Sequence, residues 1–410
     1  MIDRRHFLLM GASGFFAALV SRAARASRAS TAPSPKASAM ILLWMNGGPS
    51  HLDTWDPKPG HPNGGSTKAI RTSLPGLSVS EHMPGIARVA RKLTVIRSMS
   101  SKEGNHQRAQ YLMHTGYSPT PTLVHPSLGA WTSKKLGAPT SGLPSFVSIG
   151  GPSYGAGFLG VSNGPFIVRK AGQPDNVAPA TTDDRFSRRQ ALLADAEARF
   201  SRASGSAMVD ERRAVYTRAV ALMRSRDLGA LDPSSEPQRV KAAYGDTDFG
   251  RGCLVARRLV SAGVRFVEVV QDGWDTHQNN FERTKNQLGI VDPAVSALVD
   301  DLDHRGMLAR TLVVWLGDFG RTPRINARDG RDHYPQAWSC ALAGGGTRPA
   351  VIGATDAGGE HVVGAKHGVP DLFATCATLL GLDPREEVMT PVGRPITVTD
   401  GGEPIAAALA

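Results

Sequence analysis

The chain has 410 residues, 41% hydrophobic and 20% charged, which is enough apolar material for one large core or two modest ones and excludes a disordered or fibrous protein. With 45 Gly and 28 Pro it must run in many loops between short elements, which argues against an all-helical bundle, and three cysteines are too few and too odd in number for a disulfide scaffold. The net charge of +11 raises the question of nucleic acid or anionic surfaces, so the placement of the positive residues matters.

Residues 1–26 read as a twin-arginine signal peptide: Asp3-Arg4-Arg5-His6-Phe7-Leu8 opens an uncharged run to Ser21, and Ala24-Arg25-Ala26 offers small residues for signal peptidase. The expected partners are therefore the twin-arginine translocase and signal peptidase, and the expected location is periplasmic or extracellular. The apolar run is too short for a membrane span, and no later stretch reaches about 18 uncharged apolar residues, so no transmembrane segment is expected. Residues 1–26 hold four Arg and one Asp, and their removal lowers the net charge from +11 to +8. Residues 27–38 read as a flexible linker, and 39–410 as one α/β domain.

Ala39–Met45 is a continuous apolar run broken at Asn46-Gly47-Gly48-Pro49, as expected of a strand buried on both faces. Similar runs predict strands at 93–97, 264–270 and 311–316, with helices at 248–262 and 292–304. The alternation predicts a mainly parallel sheet flanked by helices. Segment 182–245, charged and alanine-rich, reads as a helical insertion whose arginines and glutamates face water. No zinc-finger, RNP or basic-aromatic pattern supports nucleic acid as a partner. Cys253, Cys340 and Cys376 read as buried packing residues.

Ligands of open α/β sheets sit at the carboxyl ends of the strands. The first strand is followed by Asn46, His51, Asp53 and Asp56. The strand at 264–270 leads to Asp272, Asp275 and His277, and the strand at 311–316 to Asp318, Arg321, Asp332 and His333. Carboxylates and imidazoles gathered in Gly-rich loops suit a divalent cation such as Zn, Mn, Mg or Ca. Asp53 and Asp56 read equally well as turn or capping residues, whereas Asp275 and His277, two positions apart, point the same way in an extended chain. Gly150-Gly151 and Gly344-Gly345-Gly346 lack the Lys-Ser/Thr that a phosphate loop needs, so nucleotide binding is unsupported.

Four ordered strings resemble the DUF1501 family: Asn46-Gly47-Gly48-Pro49-Ser50-His51 with Asp53, Gly273-Trp274-Asp275-Thr276-His277, Gly317-Asp318-Phe319-Gly320-Arg321-Thr322-Pro323, and Gly330-Arg331-Asp332-His333. The resemblance runs from about residue 40 to Leu382 and implies an exported protein with an alkaline phosphatase/sulfatase-like fold. It also implies one metal held by Asp275, His277, Asp318 and His333, with Asn46 and Phe319 standing where that superfamily has an aspartate and a histidine. His51 and Asp53 are further candidate ligands, His106 a candidate base or ligand, and Arg108 and Arg321 candidate holders of a sulfate or phosphate group. Ser98, Ser100, Ser101 and Asn105 lie in the region of the superfamily nucleophile. No Cys/Ser-x-Pro-x-Arg occurs, which excludes a formylglycine sulfatase. The expected function is a metal-dependent hydrolase of phosphate or sulfate esters, with an anionic ester or polysaccharide as substrate. The alternative is a non-catalytic envelope protein that uses a degenerate hydrolase cleft for binding or assembly.

Overall fold

Strand β1 (Ala39–Met45) is buried at every position, because it lies in the middle of an eight-stranded sheet with helices on both faces. The computed structural model describes residues 36–410 apart from 173, 176, 205 and 206. The expected signal peptide and most of the linker lie outside the described residues.

The other strands are β2 (Leu93–Met99), β3 (Phe146–Ile149), β4 (Phe166–Val168), β5 (Phe266–Gln271), β6 (Thr311–Gly317), β7 (Trp338–Ala343) and β8 (Ala350–Ile352). Their spatial order is β8-β2-β7-β6-β1-β5-β3-β4. β7 runs antiparallel to both of its neighbours, and the remaining pairings are parallel. The α/β architecture with a mainly parallel, helix-flanked sheet is thus the one observed.

Among the described residues the longer helices are α1 (His106–Thr115), α2 (Leu128–Leu136), α3 (Asp183–Ser204), α4 (Ala207–Met223), α5 (Asp248–Ser261), α6 (Asn280–His304) and α7 (Val369–Leu379). Alternate side chains of β1 face opposite layers. Ile41, Leu43 and Met45 share a core with Leu254 and Leu259 of α5 and Leu298 and Leu302 of α6. Met40, Leu42 and Trp44 pack with Leu112 of α1, Trp131 of α2 and Phe373 of α7. The described part of segment 182–245 contains α3 and α4, with charged residues exposed along both.

The expected helix at 292–304 starts instead at Asn280 and continues through Pro293. Its Asp292 side chain accepts from Gly85 N at 2.8 Å and Ile86 N at 2.7 Å, fastening the middle of the helix to the short helix Pro84–Val89.

Candidate metal centre

Three stretches of chain deliver the site to the carboxyl edge of the sheet. After β2, Asn105 caps α1 by accepting from Arg108 N at 3.3 Å, so His106 stands at the first helical position. After β5 the loop carries Asp275 and His277. After β6 comes Asp318, and the chain then forms a small hairpin in which Arg321 is the register partner of His333. Two glycines let these loops touch. Gly47 has φ +113°, and a Cβ on it would lie 2.5 Å from Asp275 N. A Cβ on Gly330 would lie 2.0 Å from the His277 carbonyl oxygen.

The three imidazoles point their Nε2 atoms at one carboxylate oxygen. Asp275 Oδ1 lies 3.3 Å from His106 Nε2, 3.1 Å from His277 Nε2 and 3.4 Å from His333 Nε2. The opposite nitrogen of each ring is engaged: His106 Nδ1 with Asp318 at 2.6 Å, His277 Nδ1 with Asp332 at 2.7 Å, and His333 Nδ1 with the Gly104 carbonyl at 2.8 Å. Carboxylates and carbonyls only accept, so each Nδ1 carries a proton, and a ring that holds no second proton presents a lone pair at Nε2.

His277 and His333 then face each other lone pair to lone pair at 2.9 Å, an arrangement that needs a proton or a cation between the nitrogens. His106 Nε2 and Asp275 Oδ1 are buried with no aligned hydrogen bond, although Arg321 Nη2 stands 2.6 Å from that oxygen. The donor set fits a divalent ion: ligand atoms of His106, Asp275 and His333 lie within 4.8 Å of one another, and His277 stands beside them.

The charges are consistent with such a centre. Burial alone would raise the Asp275 carboxyl, but the Arg321 guanidinium, with His106 and His277 beside it, holds it down at about 2. Burial works to lower His106, and the Asp318 hydrogen bond with the Asp318 and Asp275 charges outweighs it, so the net shift is upward. His333 is lowered, by burial first and then by the positive charge of Arg321, against the Gly104 hydrogen bond.

Other expected residues stand differently. Asp318 is fully buried and receives His106, Gln110 and Gly47 N–H groups, so it orients His106 rather than presenting a free oxygen. Arg321, also fully buried, engages the Gly47, Gly48 and Arg331 carbonyls and the Asp275 carboxylate. Arg108 forks onto Glu103 at 2.8 and 2.7 Å. His51 is buried with Nε2 2.8 Å from the Gly359 carbonyl. Asp53 pairs with Arg331 at 2.7 Å and accepts from Thr67 and Asn280. Asp56 accepts from Thr355 and pairs with Lys58 and Arg97. His51, Asp53 and Asp56 therefore fasten the loop after β1 to its neighbours.

Gln110 escaped the sequence reading. Its Nε2 donates to Asn46 Oδ1 at 2.8 Å and Asp318 Oδ2 at 3.1 Å. His114, one turn further along, pairs in the interior with Glu268 at 3.1 Å. The spacing His106, Gln110, His114 places three polar side chains on one face of a helix and was the available signal.

Fold and site together define a three-layer α/β protein with a histidine–carboxylate cluster where its central strands end. The chain belongs to the family described as "Protein of unknown function (DUF1501)", whose model matches residues 37–409. No curated protein matches the sequence. Among solved structures, it is similar to the lipoteichoic acid synthase LtaP from Listeria monocytogenes (11% identity, 86% of this chain and 74% of that one, TM-score 0.40). It is also similar to the PsFucS1 sulfatase from Pseudoalteromonas sp. (13%, 87% and 70%, TM-score 0.41). A third likeness is to a protein in the alkaline phosphatase superfamily from Vibrio parahaemolyticus (11%, 86% and 68%, TM-score 0.38). No helix of the described residues is long and apolar enough to cross a membrane.

Proposed function

We propose that the chain is an exported, metal-dependent hydrolase of phosphate or sulfate esters, including esters carried on polysaccharides. The supporting observation is the facing of the His106, His277 and His333 Nε2 atoms around Asp275 where the central strands end. Three imidazoles and a carboxylate suit Zn or Mn better than Mg or Ca. A cation held there would supply a Lewis acid, able to polarise an ester oxygen and to lower the pKa of an attacking water.

The chain's own groups prepare that chemistry. Asp318 and the Gly104 carbonyl keep protons on Nδ1 of His106 and His333, so both rings offer lone pairs toward the centre. Arg321 fixes the Asp275 carboxylate. His277, backed at Nδ1 by Asp332, turns its Nε2 toward the same centre. The export part of the reading rests on Arg4-Arg5 and Ala24-Arg25-Ala26 and implies passage through the twin-arginine translocase to the periplasm or beyond.

The test is metal analysis of the purified mature protein, together with turnover of p-nitrophenyl phosphate, bis-p-nitrophenyl phosphate and p-nitrophenyl sulfate. Bound metal and a turnover abolished by a chelator are expected; neither metal nor turnover would sink the proposal. A second reading, a non-catalytic envelope binding protein, is favoured by one observation: Arg108 and Arg321 both engage protein acceptors. Changing both Asp275 and His277 to Ala abolishes turnover under the first reading and leaves glycan binding intact under the second.

A further inference from the structure

We infer that the centre takes a single divalent cation, because the Gln110 carboxamide fills the adjoining corner in which a second would sit. The inference rests on the metal reading above and concerns how many ions that site admits. Asn46, Asp272 and Asp318 follow directly on β1, β5 and β6, three adjacent strands, so the topology gathers two carboxylates and an amide oxygen at one point. Oxygens so gathered are the ligand type that a hard divalent ion takes.

Instead, they are satisfied by N–H donors. Gln110 Nε2 reaches Asn46 Oδ1 at 2.8 Å and Asp318 Oδ2 at 3.1 Å, so a single nitrogen engages both oxygens that an ion between them would need. Asn46 Nδ2 donates to Asp272 at 2.6 Å, Trp44 Nε1 lies 3.4 Å from Asn46 Oδ1, and Gly47 N lies 3.3 Å from Asp318 Oδ1. A buried carboxylate that already has its hydrogen bonds gains little from a cation whose hydration shell must first be stripped. Gln110 is in reach because it lies one helical turn beyond His106 on the face of α1 that meets the strand ends. The residue that supplies an imidazole to the centre and the residue that closes the neighbouring corner are thus set by the same helix.

The experiment is equilibrium dialysis of the full chain against Mn²⁺, with bound manganese measured by elemental analysis and by electron paramagnetic resonance. One equivalent with an uncoupled spectrum is expected for the parent. Gln110→Glu keeps the side-chain shape, replaces the donor with a carboxylate and should raise the content to two equivalents with an exchange-coupled signal. Two equivalents in the parent, or one in a cooperatively melting Gln110→Glu protein, would overturn the inference while leaving the metal reading standing. No manganese in either protein overturns the metal reading, and this inference with it. If Gln110→Glu does not fold, Gln110→Ala opens the same corner without added charge, and a single equivalent at saturating Mn²⁺ would be equally fatal.

Discussion

His277 Nε2 lies 2.9 Å from His333 Nε2, and the far nitrogen of each ring is held by an acceptor, Asp332 for the first and the Gly104 carbonyl for the second. Two lone pairs at that separation repel unless a positive charge lies between them. Metal removal therefore has a stability signature independent of any reaction. At a metal concentration a hundred times Kd, binding adds about 2.7 kcal/mol to the folded state. Scanning calorimetry in chelator should give a lower midpoint, which added Zn²⁺ or Mn²⁺ restores. An unchanged midpoint would mean that the rings settle their conflict with a proton.

Asp332 touches the centre only through His277 Nδ1. Asp332→Asn weakens the acceptor that fixes that ring, and loss of such a partner typically lowers metal affinity by about 10- to 100-fold. Competition against a chromophoric chelator measures this directly. Unchanged affinity would place His277 outside the coordination sphere.

Asp53 and Arg331 are 1% and 0% exposed, and each is the other's charge partner. Asp53→Asn leaves a buried guanidinium uncompensated, a loss of roughly 3–5 kcal/mol by analogy with other buried pairs. Denaturant unfolding of the two proteins checks the figure.

The same pair predicts a pH dependence. Burial would raise the Asp53 carboxyl, but the Arg331 charge and the hydrogen bonds of Thr67 and Arg331 outweigh it and hold it below the ordinary aspartate value. A lowered folded-state value means that its stabilisation is complete above the unfolded value of about 3.9 and is lost as pH falls through the lower folded value. The stability gap between parent and Asp53→Asn should accordingly be constant from neutral pH to about 5 and shrink below about 4. A gap that instead shrinks on raising the pH would contradict the sign.

The long strands were legible because central parallel strands are apolar throughout: Ala39–Met45 and Thr311–Gly317 read directly as strands. The lengths of α6 and α1 were not. The expected helix began at Asp292, yet α6 starts at Asn280 and passes through Pro293, with Asp292 bonded to the neighbouring short helix. In α1 the face toward the strand ends carries His106, Gln110 and His114 where an apolar stripe would mark a helix. At the site, the strand-end rule brought Asp275, His277 and His333 to attention but could not separate them from His51 and Asp53. A carboxylate or imidazole after a strand serves equally well to tie a loop, and only the position of Arg331 decides which task Asp53 has. What Arg321 engages depended likewise on the backbone carbonyls of Gly47 and Gly48, which no side-chain pattern records.

His106 and Asp318, in hydrogen-bond contact, are 212 positions apart in the chain, and His277 and Asp332 are 55 apart. No local segment therefore holds the centre together before the sheet has closed. An ion captured by these ligands is selected in the compartment where folding finishes, from whatever that compartment supplies. If the chain folds before it passes the translocase proposed above, the metal found outside the membrane would be a record of the cytoplasm.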